Sequence, residues 1–234
     1  MSPIEKARKH WRHNEDQAAI EILDVEELAT SPEALFILGN IYNCADASIG
    51  GVRQSYPKAR RYWLEALKHG STEAAVELGD LYYFGNGVKQ SFSKAEHFWM
   101  IAASAGDETG IFKLAGLYCD HMPEKIHDAI AYLQALADGS SFADNACYKL
   151  GKIYNRGIGV DRDPVQAASW FEAGAKHNHG SCLLDLAFLL YKGDGVIKNV
   201  DRAIQLAERA EKTEWLKDVA PVFIEQMRKG TLLH

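Results

Sequence analysis

The chain has 234 residues, 47% of them hydrophobic in type, which is enough apolar material for a sizeable core in one domain or two. Its formal net charge of -6 and isoelectric point of about 5.8 leave no basic excess to neutralise phosphates, which argues against a nucleic-acid ligand. The N-terminus shows no leader-type apolar stretch, no window approaches the ~18 apolar residues of a membrane span, and Cys44, Cys119, Cys147 and Cys182 form neither a CxxC pair nor an even framework, so a soluble, reducing, cytoplasmic setting is expected.

The first element is expected within residues 3–30, as an imperfect helical pair. Its opening basic run, KARKHWRH (6–13), is followed closely by acidic residues and reads as a solvated helix face. A repeated phrase then begins. LGNIY opens at Leu38, LGDLYYFGNGV at Leu78, LAGLY at Leu114, LGKIYNRGIGV at Leu150 and LAFLLYKGDGV at Leu186. The leading leucines are 40 residues apart once and 36 apart thereafter, a period that marks a repeat architecture.

Each copy contains two helical stripes. Four before the leading leucine stand small residues (Ala34, Ala74, Gly110, Ala146, Cys182). Three after it stand Ile41, Leu81, Leu117, Ile153 and Leu189. At ~100° per residue these share the leucine's side, the expected buried side, and small residues there, with Gly39, Gly79 and Gly151, let neighbouring helices approach. A second stripe runs from Ala59, Ala95, Ala129, Ala167 and Ala203 to the third and fourth positions beyond: Tyr62 and Trp63, Phe98 and Trp99, Tyr132 and Leu133, Trp170 and Phe171, then Leu206 and Ala207.

Gly85, Gly157 and Gly193 stand where the first helix should stop in a left-handed residue, and Val88, Val160 and Val196 follow to fill the groove between the helices. A phosphate-loop reading of Gly-Asn-Gly fails, because a helix precedes it where a strand would be needed. The second helices carry start signals, a capping box of Ser93 with Glu96 and an N-cap of Asp163 followed by Pro164. The third copy lacks the glycine turn and has LAGLYCDHMPEKIHDA in its place. The first carries a four-residue insertion around CADASIGGV, and residues 213–229, TEWLKDVAPVFIEQMRK, read as a closing helix.

The phrases A-x-x-x-L-G-x-x-Y-x-x-G-x-G-V and K-A-x-x-x-W-x-x-A-A, seen almost entire in residues 74–106, resemble the Sel-one-like repeat (SLR) family of tetratricopeptide-type α/α solenoids. The resemblance covers residues 33–212. It implies an all-α fold, a right-handed α/α superhelical solenoid of about five helix pairs, with N-terminal capping helices over 1–32 and a C-terminal capping helix over 213–234. It also implies a bacterial origin and protein binding. Some members are secreted, carry a disulfide in each repeat and are linked to β-lactam binding, but this chain lacks the paired cysteines, so that activity is not carried over.

First helices usually line the inner face of such a solenoid. Positions two before, two after and five after the leading leucine fall at about 160°, 200° and 140°, opposite the buried side. The candidate partner-binding residues of this concave face are Phe36, Asn40, Asn43, Asp80, Tyr83, Phe112, Tyr148, Lys152, Asn155, Phe188 and Tyr191, with Phe84 and Arg156 flanking the rows. Aromatic anchors mixed with amides and charges suit an extended peptide or a helix. The row two before the leucine has a competing role in packing between neighbouring first helices.

Catalytic and metal signals are thin. His177 and His179 lie at a helix end and read as a solvated pair, and Cys119-Asp120-His121 has adjacency without a positioned base. The expectation is a monomeric, non-enzymatic adaptor that binds another protein or peptide, with no cofactor, no metal, no nucleic acid and no membrane insertion. The alternatives are a dedicated inhibitor or immunity partner of one enzyme, and a groove hydrolase or β-lactam-binding protein.

Overall fold

Helix starts are set by short side chains that accept the first unpaired backbone N–H groups. In the computed structural model, which describes residues 1–213 and 216–231, α1 (Pro3–Arg12) starts at Ser2 in a capping box with Glu5 and is followed by α2 (Asp16–Leu23). Ser31 caps α3 (Pro32–Cys44), Ser55 caps α4 (Tyr56–Lys68), Ser71 caps α5 (Thr72–Phe84) and Ser91 caps α6 (Phe92–Ser104). Beyond them run α7 (Glu108–His121), α8 (Ile126–Ala137) and α9 (Ala143–Arg156), then α10 (Pro164–Lys176) capped by Asp163, α11 (Gly180–Lys192) by His179 and α12 (Val200–Glu211) by Asn199, and last α13 (Ala220–Lys229). Among the described residues every regular element is a helix.

The capping box expected at Ser93 and Glu96 is not formed: Ser91 is the cap, and its side chain accepts from the Lys94 N–H at 3.3 Å. The reason is the preceding helix. The Ser91 N–H donates to the Tyr82 carbonyl at 2.9 Å, and Ser55, Asp163 and Asn199 donate in the same way to Tyr42, Tyr154 and Leu190. The carbonyl four after the leading leucine therefore fixes where the second helix begins. Asp163 with Pro164 stands as expected, and Gly85, Gly157 and Gly193 end their helices at φ 76°, 67° and 76°. In the third copy a short 3-10 turn, Pro123–Lys125, takes the place of the glycine turn.

The chain divides into two compact units, residues 1–114 and residues 115 onward. In the first, α1 packs on α2 and α3, α3 on α4, α4 on α5 and α5 on α6; in the second, α8 to α13 pack each on the next. The expected closing helix falls partly on Glu214 and Trp215, which lie outside the described residues. Within them, α13 sends Ile224 and Met227 into the core of α11 and α12.

The core of each pair is built on a close approach. A Cβ on Gly39 would overlap the Trp63 indole, one on Gly79 the Trp99 indole, and one on Gly151 the Phe171 ring. Trp63, Trp99 and Phe171 are 1%, 3% and 0% exposed, so none of the rings has room to withdraw. Where the matched position of the second helix is not aromatic, the residue after the leading leucine is alanine and not glycine: Ala115 corresponds to Leu133 and Ala187 to Ala207, all fully buried. Beside this contact the tyrosine four after the leucine stacks on an aromatic of the second helix. Tyr42 lies 5.7 Å from Tyr62 at 2°, and Tyr82 lies 5.6 Å from Phe98 at 8°, with Lys58 and Lys94 over the outer tyrosine faces.

Helix propensity alone makes Gly79→Ala stabilising by about 0.5–1 kcal/mol. The glycine–indole contact makes it destabilising by about 1–3 kcal/mol, the usual cost of overpacking. Urea unfolding of the variant should show the loss, and Gly79→Ala combined with Trp99→Leu, the pairing of the third copy, should cost less than the sum of the two single changes. A stabilised Gly79→Ala protein would refute the contact.

Candidate functional site

The outward rows of the first helices separate into side chains that hold the fold and side chains that do not. In the first unit Asn40 accepts the Trp63 indole N–H at 3.0 Å. Asp80 accepts the Trp99 indole N–H at 3.1 Å with one oxygen and pairs with Lys113 at 2.9 Å through the other. The row two after the leading leucine therefore satisfies buried donors that the aromatic packing creates. Phe36 packs on the cluster around Leu35, Ala59 and Trp63. Phe112 is half-buried. Asn43 donates to Cys44 Sγ at 3.6 Å, and its carbonyl accepts from Gln54. Tyr83 lies against Phe92 and Trp99 and meets Phe84 edge-on at 4.9 Å. Phe84 itself is 62% exposed.

In the second unit Tyr148 lies between Phe171 and His179, with Lys152 Nζ 5.7 Å from its ring centre, and burial pushes its phenol up. Lys152 pairs loosely with Asp185 at 3.6 Å. Asp185 Oδ2 is buried without a hydrogen-bond partner, and burial first of all raises its carboxyl above the usual range against the pull of Lys152 and Arg156. Phe188 meets Phe223 at 6.3 Å, and Tyr191 packs on the same core with Lys198 over its ring. The Asn155 carbonyl accepts from Arg162, and Arg156 is exposed.

A rung pattern in these rows is absent from the helical-wheel reading. The residue two after one leading leucine reaches the residue one before the next, as in Asp80 with Lys113 and Lys152 with Asp185, each 33 positions on. The signal lay in the row Glu77, Lys113, Lys149 and Asp185, all charged and all immediately before a leading leucine. The structure also adds a small cavity of about 180 Å³ in the first unit, lined by Asn43, Trp63, Glu77, Asp80, Leu81, Phe84 and Asn86. Of its lining, Trp63, Glu77, Leu81 and Asn86 are not among the expected site residues.

The chemical candidates are occupied otherwise. His177 Nδ1 lies 2.6 Å from Asp144, while His179 caps α11, with its ring accepting from the Cys182 N–H, a role that burial supports by holding its pKa down. Burial raises the Cys119 thiol, only partly opposed by Lys149, which disfavours the thiolate that nucleophilic attack needs. All four cysteines are free thiols.

The Asp80 contacts give a measurable test. Asp80→Asn keeps an indole acceptor and loses a partly exposed ion pair, for a cost under about 1 kcal/mol. Asp80→Ala leaves the Trp99 N–H with a poorer set of acceptors and Lys113 without its carboxylate, for about 1–3 kcal/mol. Denaturant midpoints should fall in that order; equal midpoints would mean that Asp80 serves no structural purpose.

Comparison with known proteins bears on the fold and the family. The Sel1 repeat family model matches residues 32–71, 72–107, 144–179 and 180–212, leaving unmatched the third copy with its substituted turn. A Sel1 repeat protein from Oxalobacter formigenes is similar over 100% of this chain and 92% of its own, with 20% identity and a TM-score of 0.78. The protective antigen c5321 of uropathogenic Escherichia coli, of SLR fold, is similar over 98% of this chain and 56% of its own, with 19% identity and a TM-score of 0.53. A putative Sel1 repeat protein from Klebsiella pneumoniae gives 20% identity and 0.51 over 88% of this chain and 97% of its own. No curated protein matches the chain. Among the described residues no helix is long and apolar enough to cross a membrane. At these identities the structures speak for the helical solenoid fold alone, but four matched repeats take in more than half of the sequence, and the chain belongs to the Sel1 repeat family, whose members generally mediate protein–protein interaction.

Proposed function

We propose that this chain is a non-enzymatic adaptor that holds a partner protein or peptide against the exposed side of its first helices, the side expected to be concave, and that it works as a cytoplasmic monomer. The observation that carries the reading is Phe84. It ends α5, a helix whose buried side is already filled by Leu78, Leu81 and Tyr82, and it leaves most of an aromatic ring in water with Tyr83 edge-on beneath it. Packing gives no reason for a phenylalanine there, whereas an aromatic anchor at an interface does. Phe36, Asn40, Asn43, Asp80, Tyr83 and Phe112 are the other candidates on the first unit's first helices. Tyr148, Lys152, Asn155, Arg156, Phe188 and Tyr191 form the corresponding rows of the second. Helices held by buried aromatics present such rows already ordered, so binding costs the receptor little conformational entropy.

The test is capture from extract of the source organism by the immobilised full chain, with identification of what is retained, beside Phe84→Ser for the first unit and Phe188→Ser with Tyr191→Ser for the second. Each variant must first show parental circular dichroism. A partner that binds the parent and is lost at least tenfold by Phe84→Ser is the expected result, since aromatic anchors carry about 2 kcal/mol or more. A partner retained equally by both variants would place the interface elsewhere, and capture of nothing above background would sink the adaptor reading.

A further inference from the structure

The first unit's small cavity lies where α3, α4 and α5 meet the turn after α5, and at about 180 Å³ it is below the ~300–1,000 Å³ of sites that take a whole small molecule. It suits one long side chain. Its lining includes Trp63, Asn43, Asn86 and Phe84, whose ring is exposed. The remaining polar groups are carboxylates. Asp80 has its oxygens engaged by the Trp99 indole and by Lys113. Glu77 makes no hydrogen bond and no ion pair among the described residues, although it is half-buried and only one turn of helix from Asp80. Two acids thus face one lysine, and that lysine is bound to Asp80. The cavity offers a net negative charge, an unused carboxylate and an aromatic face.

From this we infer that the cavity receives a basic side chain, an arginine, of the partner protein. The inference rests on the partner-binding reading above and names the chemistry of its first-unit contact. A guanidinium suits this lining: its planar N–H groups can be shared between a carboxylate and amide oxygens, and its face can stack on an aromatic ring such as that of Phe84. A neutral side chain would leave Glu77 without a partner and would desolvate it further.

Glu77 also has a thermodynamic mark. Burial first, and Asp80 next, hold its carboxyl above the usual range, with Lys113 opposing. A folded-state pKa above the unfolded one means that the charge is a cost to folding at neutral pH. The cost vanishes when acid protonates both states. Glu77→Gln should therefore raise the thermal midpoint at neutral pH, with the gain disappearing once the pH falls below the ordinary carboxylate range. The groups facing Glu77 that enter this balance are Asp80 on its own helix and Lys113 on α7; the α3 and α4 contributions to the lining, Asn43 and Trp63, carry no charge.

The experiment is an NMR titration of the full chain with N-acetyl-arginine methylamide, beside its neutral isostere N-acetyl-citrulline methylamide, in the parent and in Glu77→Gln. Saturable shifts at Asn43, Trp63, Phe84 and Asn86 are expected with the arginine probe. The citrulline probe should bind at least tenfold more weakly, and the preference should disappear in Glu77→Gln, a variant whose higher thermal midpoint shows it folded. Equal response to both probes, or an arginine response that Glu77→Gln leaves unchanged, would overturn the assignment. No saturable shift, in a protein whose partner is still lost on Phe84→Ser, would remove the arginine and leave the binding face standing. Binding of arginine through Glu77 in a chain that captures no partner would keep the cavity's chemistry and overturn its attribution to a partner protein.

Discussion

The distance between the two helices of a repeat is governed by one contact, an aromatic ring of the second helix laid on a backbone position of the first that has no side chain. Trp63 on Gly39, Trp99 on Gly79 and Phe171 on Gly151 are three instances. The other two copies shrink both members together, to Ala115 with Leu133 and Ala187 with Ala207. Close packing explains the coupling, since a Cβ and a full ring cannot share the space, and an alanine facing a small residue avoids the void that a glycine would leave. Stacked tyrosines and the turn that follows depend on that spacing.

The same contact determines which surface residues have freedom. A buried indole brings an N–H that must find an acceptor. Asn40 and Asp80 supply it, so two side chains on the exposed face belong to the fold as much as to any binding site. Where Phe171 replaces tryptophan there is no such donor, and the corresponding residue is Lys152, turned to an acid on the next first helix. Fewer outward positions are therefore free of structural duty than the helical wheel suggests, and Phe84, Arg156 and Glu77 are among them.

Much of the fold could be read from the chain because the repeat states it several times. Five leucines in register, small residues four before them and alanine stripes in the second helices define helix pairs without any long-range information. The start of α6 differs from the expected one for a physical reason. Ser91 and Ser93 are equally good caps as residues, and only the bond from Ser91 to the Tyr82 carbonyl, made across the turn, selects between them. The outward rows were legible as directions and not as occupations. A periodicity argument places Asp80 at the surface, but the indole it serves is 19 residues away. Glu77 escaped the reading because it lies at the flank of the wheel, and its importance comes from having no partner, a property of the neighbours and not of the residue.

The two ion-pair rungs run in opposite senses. In the first unit the acid comes first, Asp80 before Lys113; in the second the base does, Lys152 before Asp185. Near-identical modules joined in one chain face a hazard that unrelated elements do not, since any one of them can dock on the wrong neighbour during folding. If the copy at Leu78 met the copy at Leu186, Asp80 would face Asp185, and if the copy at Leu150 met the copy at Leu114, Lys152 would face Lys113. Like charges would be forced together at the seam in both cases, each with a half-buried group to desolvate. The opposed polarity therefore penalises these two wrong neighbours by repulsion, while a skip of one module, which would set Asp80 opposite Lys149, carries no such penalty.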